Sequence, residues 1–193
     1  MSPFTVHSID TAPEGSKATL AATTKAWGFT PTLQGTLAES PAALKAYEAL
    51  FAIASADTQL SPALRQAVFL TASAFHGCEY CTMGHTYLAR AAHLDEAAIA
   101  AIRAGDAPSD PRTGALVRFA RAVLDRRGDV PPEVTEAFLG AGFSKANVLD
   151  VVTIIATKVI SNYANHIAGT PKESFMSDPT LAWTAPAQPH AAA

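Results

Sequence analysis

The stretch His76-Gly77-Cys78-Glu79-Tyr80-Cys81-Thr82-Met83-Gly84-His85 contains both cysteines of the 193-residue chain. At about 100° per residue, a helix through Cys78, Cys81 and His85 turns two sulfurs and an imidazole toward one sector. Gly77 lets the backbone bend sharply into that helix. The Cys78 sulfur would then sit beside free N–H groups, where thiolate is favoured over thiol. Two cysteines at this separation can close a redox disulfide, and His85, one turn after Cys81, can accept or relay a thiol proton. Other readings are two ordinary buried cysteines, or a zinc site with a fourth ligand from His76, His93 or His166. A metal-free site is expected, because sulfurs held by zinc cannot form a disulfide.

The helices that must position these groups begin at a capping residue followed by proline: Ser40-Pro41, Ser61-Pro62 and Asp110-Pro111. Reading from such starts to the next breaker predicts helices near 40–56, 61–75, 79–92, 95–104, 110–127, 132–140 and 144–168, with an earlier one near 15–27. Gly105, Gly128 and Gly169 stand where left-handed C-terminal residues are wanted. In 110–127 the apolar Leu116, Phe119, Ala120, Val123 and Leu124 share a face, while Arg112, Arg118, Arg121 and Arg126 point elsewhere. The last helix is apolar nearly all round, from Val148 to Ile160, which places it at the domain centre or at a subunit interface. Asn162 and His166, one turn apart near its end, are expected to line a pocket or pair with a neighbour. His76 and His93 read as helix-end residues near the C-terminal dipole, and Trp27, Tyr47, Tyr87 and Trp183 as core or interface aromatics.

Composition narrows the class. Hydrophobic residues make up 49% and charged residues 16%, enough to bury a core, and 41 alanines favour helix over sheet. An all-α fold is expected. Fourteen Lys plus Arg against seventeen Asp plus Glu give a net charge of −3, so nucleic acid is not an expected partner. The most apolar segment, Val151 to Ala156, is flanked by Asp150 and Lys158 and is too short for a bilayer, so no membrane association is expected. Residues 1–7 carry neither a basic nor an apolar signal region, and with so few cysteines a cytoplasmic location is expected. Residues 1–39 read as an N-terminal arm and first helix, 40–169 as the helical domain, and 170–193 as a Pro/Ala-rich arm. That arm would be ordered only where Phe175 or Trp183 finds a groove.

Leu64-Arg65-Gln66-Ala67-Val68, Cys78-Glu79-Tyr80-Cys81, His85, Gly105, Asp110-Pro111-Arg112 and Asn162-Tyr163-Ala164-Asn165-His166 together resemble the alkylhydroperoxidase D-like members of the carboxymuconolactone decarboxylase superfamily. The resemblance covers roughly 40–172, with the C-x-x-C-x-x-x-H core as its specific part. It implies a bundle of helical hairpins, homo-oligomers, and a thiol peroxidase site without metal, haem or other cofactor. A small organic hydroperoxide would be reduced, and a dithiol or protein reductant would restore the cysteines. In that family the second cysteine attacks and the first resolves, so Cys81 would be peroxidatic and Cys78 resolving.

Two positions depart from the family pattern. Gln66 stands where the family places a proton-relay glutamate; a neutral amide can orient His85 but cannot take a proton. Tyr80 stands where well-studied peroxidases carry a second histidine. Glu79 is a nearby carboxylate, but its position on a helix next to Tyr80 turns it away from His85. Peroxidase activity would be weakened, while dithiol–disulfide chemistry needs only the two cysteines. The alternatives are a decarboxylase or lactone-processing enzyme, and a redox sensor or binding protein that does not turn over.

Overall fold

The computed structural model of the protein describes residues 3–186. Met1, Ser2 and residues 187–193, which hold parts of the signal and arm readings, lie outside the described residues. All regular structure among them is helical: α1 (Glu14–Trp27), α2 (Thr32–Leu37), α3 (Pro41–Ala56), α4 (Pro62–Phe75), α5 (Glu79–Ala91), α6 (Glu96–Ala104), α7 (Pro111–Asp125), α8 (Pro132–Gly140) and α9 (Lys145–Ala168). The three Ser/Asp-Pro starts are N-caps, with Ser40, Ser61 and Asp110 side chains accepting from the N–H of Ala43, Leu64 and Thr113. Each such bond holds about 1 kcal/mol. Gly105 and Gly169 are left-handed C-caps as predicted. Gly128 is left-handed too, at φ 91°, but α7 stops earlier and its C-cap is Arg126. The short helix α2 was not legible in the sequence.

The centre of the bundle is α4, which touches α5, α6, α7 and α9. Eight consecutive residues of α4, Ala67 to Ala74, are buried. Polar side chains can sit there because the Thr71 and Ser73 hydroxyls donate back to the carbonyls of Ala67 and Phe69, each at 2.7 Å. The apolar residues of α9 divide between two faces. Val151, Ile154 and Ile155 are buried against its neighbours, yet Leu149, Val152 and Ile167 on its other side are exposed. An all-round apolar helix here has one face in the core and one apolar face outside.

Residues 12–38 build a second small core with α3, from Leu20, Leu33, Leu37, Leu44 and Tyr47. The C-terminal arm is laid over α5: Met176, Leu181 and Trp183 are buried with Ala74 and Met83. The Trp183 indole N–H donates to the Arg103 carbonyl at 2.8 Å, and the Arg103 guanidinium donates to the Ala182 carbonyl. Phe175 stays partly exposed and lies against the Tyr87 ring. Trp27 is likewise partly exposed and lies against Phe51, and Tyr87 is about half exposed, so neither is a core residue of this chain. No single described helix is long and apolar enough to cross a membrane; α8 and α9 reach that composition only together, across a bend of 112°.

Candidate active site

The site forms where α4 turns into α5. Gly77 adopts φ 69°, which a side chain would strain, and the Cys78 N–H returns to the Ser73 carbonyl at 3.0 Å. The chain enters α5 with Cys78 as its N-cap, outside the helix proper, and with no capping bond from the Cys78 side chain. Both cysteines are free thiols and buried, Cys78 to 1% and Cys81 to 3% exposure. One amide nitrogen, that of Asn165, reaches both sulfurs, so they face the same way as expected. Cys81 and His85 line one cavity, and Cys78 is outside its lining.

His85 is held on every side. Its Nδ1 faces the Gln66 side-chain oxygen at 2.9 Å, its Nε2 faces the Lys158 Nζ at 3.1 Å, and its ring stacks on Phe69 with centroids 4.7 Å apart. An ammonium can only donate, so Nε2 must accept; the ring proton then sits on Nδ1 and is given to the Gln66 carbonyl. Burial first, and then the Lys158 charge, hold the His85 pKa well below its ordinary value, so the ring is neutral. His76 is likewise kept neutral by burial, which corrects its reading as a welcome charge at a helix end. Its Nδ1 donates to the Asn162 side-chain oxygen at 3.1 Å.

The two sulfurs divide into an anion and a thiol. Burial opposes ionisation of Cys81, but a hydrogen bond from Cys78, the charge and hydrogen bond of Lys158, and the Asn165 amide together pull it down to about 5. The Asn165 Nδ2 donates to the Cys81 sulfur at 3.2 Å. Cys78 is pushed up by its hydrogen bond to Cys81, by burial and by the Cys81 charge. The activated thiol is thus Cys81 rather than Cys78, the sulfur singled out by the argument from Gly77, and the Cys78 hydrogen bond and the buried Lys158 on α9 lead in lowering it.

The cavity has a volume of about 530 Å³ and opens beside Cys81. Aromatic rings form much of its wall, among them Trp27, Phe29, Phe51, Tyr87 and Phe175, while Cys81, His85 and Lys158 supply polar groups. Tyr80 also faces the cavity, and its hydroxyl donates to Glu173 at 2.6 Å. The same carboxylate oxygen accepts from the Thr32 backbone N–H at 2.6 Å and the Thr32 hydroxyl at 2.8 Å. Glu79 is exposed and pairs with Lys172 of the arm at 2.8 Å, turned away from His85 as expected. Asn162 is buried and its oxygen accepts from His76, whereas its α9 neighbour His166 is exposed and outside the cavity lining. Asn165, not His166, lies on the inner face of α9. No cluster of three or more metal-ligating side chains occurs among the described residues.

Residues 41–126 match the model of the carboxymuconolactone decarboxylase family. The matched stretch runs from α3 through α7 of this chain. Its fold is that of solved alkylhydroperoxidase D-like proteins. A peroxidase-related protein from Ralstonia eutropha JMP134, described as an alkylhydroperoxidase AhpD core, superposes with a TM-score of 0.79 at 23% identity, covering 91% of this chain and 94% of that one. A peroxidase-related protein from Silicibacter sp. TM1040 gives 0.74 at 15% identity, covering 91% and 93%. The debrominase Bmp8 gives 0.74 at 19% identity, covering 94% and 97%. No curated protein sequence matches the chain.

On this scaffold the sequence reading missed Lys158, Asn165, Glu173 and the aromatic wall as site groups. Lys158 had a signal: it is the one cation in the apolar run from Val151 to Ile160. A lysine there must find a polar partner inside the fold. Glu173 had none, since its role depends on where the arm crosses Thr32 and Tyr80.

Proposed function

We propose that the protein is a cofactor-free thiol peroxidase for an apolar, aromatic-bearing organic hydroperoxide. The observation that carries this reading is the ionised Cys81 at an aromatic-walled cavity, with a protonated Cys78 hydrogen-bonded to it. The Cys81 sulfur attacks the terminal peroxide oxygen; the S–O bond forms, the O–O bond breaks and an alcohol leaves, with Cys81 oxidised to the sulfenic acid. Cys78 then displaces water from that sulfur to give the disulfide. A dithiol or protein reductant reduces the disulfide and closes the cycle. A second copy of the chain fits this reading as the cover for Leu149, Val152 and Ile167 on α9.

A debrominase of similar fold favours a second reading, because a variant of Bmp8 with alanine in place of a cysteine has been solved with 2,3,4-tribromopyrrole bound. A planar haloarene suits an aromatic wall. The Cys81 thiolate would take the halogen from carbon, the ring carbon would take a proton, and Cys78 would release halide while forming the disulfide.

The deciding assay follows consumption of an aromatic hydroperoxide, and halide release from a brominated pyrrole, with excess dithiol. Saturable peroxide turnover well above free dithiol, lost in Cys81→Ser, is the expected result. Halide release with no peroxide turnover would replace the first reading with the second. Neither activity, with both cysteines still reversibly oxidised, would leave a redox sensor.

A further inference from the structure

Lys158 is 1% exposed, on the apolar helix α9, and no carboxylate pairs with it among the described residues. A buried ammonium without a counter-ion is strongly disfavoured, so its position beside Cys81 has to be accounted for. The titratable groups around the Lys158–Cys81 pair come from every neighbouring element. They are Tyr47 and Glu48 on α3, His76 at the end of α4, Cys78, Tyr80 and His85 on α5, His166 on α9 and Glu173 on the arm. Glu48 is bound by the Thr23 hydroxyl and the Gln34 amide, and Glu173 by Thr32 and Tyr80. The anion left for Lys158 is the Cys81 sulfur.

Proton supply leads to the same residue. The single proton of neutral His85 is on Nδ1, bonded to Gln66 and away from the peroxide site, and Gln66 cannot pass a proton onward. Lys158 lines the cavity with Cys81 and His85 and carries protons on Nζ. Resting on the reading above, we propose that Lys158 is the charge that keeps Cys81 a thiolate and the acid that protonates the departing alkoxide.

The cycle balances. As the Cys81 sulfur bonds to the terminal peroxide oxygen, the alkoxide takes one Nζ proton and leaves as the alcohol. Lys158 becomes a neutral amine as the thiolate charge disappears, so no uncompensated buried charge is created. Cys78 attacks the sulfenic acid, and the departing hydroxide leaves as water with the Cys78 proton. The dithiol reductant supplies two protons on reducing the disulfide, one to Cys78 and one to Lys158, restoring the ion pair.

Lysine, arginine and methionine at 158 separate the two roles, because arginine keeps the charge but does not give up a proton. In the full chain, iodoacetamide alkylation of Cys81 followed against pH by mass spectrometry reads the thiolate. Single-turnover sulfenic acid formation with an aromatic hydroperoxide reads the acid. Lys158→Met should move the alkylation midpoint upward by at least about two pH units, and Lys158→Arg should leave it within one unit. Both variants should slow sulfenic acid formation by about 10²-fold or more. An unmoved midpoint in Lys158→Met overturns the charge role, and a wild-type peroxide rate in Lys158→Arg overturns the acid role. Lys158→Gln, with folding checked by circular dichroism, replaces methionine if that variant does not fold. A wild-type protein without peroxide turnover removes the peroxidase reading and the acid role with it, while the alkylation profile still decides the charge role.

Discussion

Gln66 and Lys158 grip opposite nitrogens of one imidazole, at 2.9 Å and 3.1 Å, so His85 is fixed as the neutral ring with its proton on Nδ1. A histidine held neutral and a cysteine held ionised give stability the same sign of pH dependence. The unfolded chain binds more protons than the folded one over both ranges, so stability rises with pH.

For His85 and His76 the gain is present above the unfolded value, about 6.5, and is lost below it. For Cys81 it is fully present above the unfolded value, near 9, and is lost as pH falls toward about 5. Between pH 6.5 and 8.5 only Cys81 among these groups contributes, with a limiting slope of about 1.4 kcal/mol per pH unit. Urea midpoints of the reduced protein should therefore climb across that window and be nearly flat when Cys81→Ser is combined with Lys158→Met, which removes the buried ammonium that the serine would leave unpaired. An equal climb in that double variant would refute the buried thiolate.

The cysteine roles separate by trapping. Cys81→Ser should abolish reaction with peroxide, because the remaining sulfur is a thiol outside the cavity lining. Cys78→Ser should form one sulfenic acid per chain, captured by a dione reagent and counted by mass, and then stall. Peroxide reaction kept by Cys81→Ser and lost by Cys78→Ser would reverse the assignment.

The sequence showed the fold class and the Ser/Asp-Pro helix starts, because each depends on composition or on neighbours in the chain, whereas the pairing of Gln66 with His85 was suggested only by the family resemblance. It did not show α2, whose six residues carry no capping side chain. It placed the activating charge at a helix N-terminus because Lys158 lies 77 residues beyond Cys81, the difference between the two positions in the chain. Periodicity shows that a helix is apolar, as for α9, but not which face meets the core. His166 and Asn165 differ by one residue and end on opposite sides of that boundary.

The arm forms part of the cavity wall and is fastened by Glu173. Three donors converge on its carboxylate, from Thr32 and Tyr80. Hydrogen bonds to a charged group hold roughly 1.5–3 kcal/mol each, less where water reaches them. Glu173→Ala should loosen Ser174, Phe175 and Met176 from the wall, raising KM for a bulky aromatic hydroperoxide several-fold while kcat changes little. It should also speed cleavage after Lys172 by trypsin. A fall in kcat with KM unchanged would mean that Glu173 acts on the chemistry rather than on the wall.

The departure at position 66 can be tested by restoring a carboxylate. In Gln66→Glu, the new side chain would face His85 Nδ1 and could take its proton, making the ring basic enough to carry a proton at Nε2. A placed acid–base group is worth about 10²–10⁴-fold where none exists, but wild type already holds the Lys158 protons, so the gain there should be smaller. In Lys158→Arg the gain should be large, because the new relay replaces the missing acid while arginine keeps the thiolate charge. His85→Ala should remove the gain in either background, since the carboxylate acts only through the ring; such non-additivity marks residues working as one unit. Single-turnover sulfenic acid formation in the four combinations at 66 and 158 reads this directly. Equal effects of Gln66→Glu with lysine and with arginine at 158 would mean that the two routes are not alternatives, and that the proton reaches the alkoxide from elsewhere.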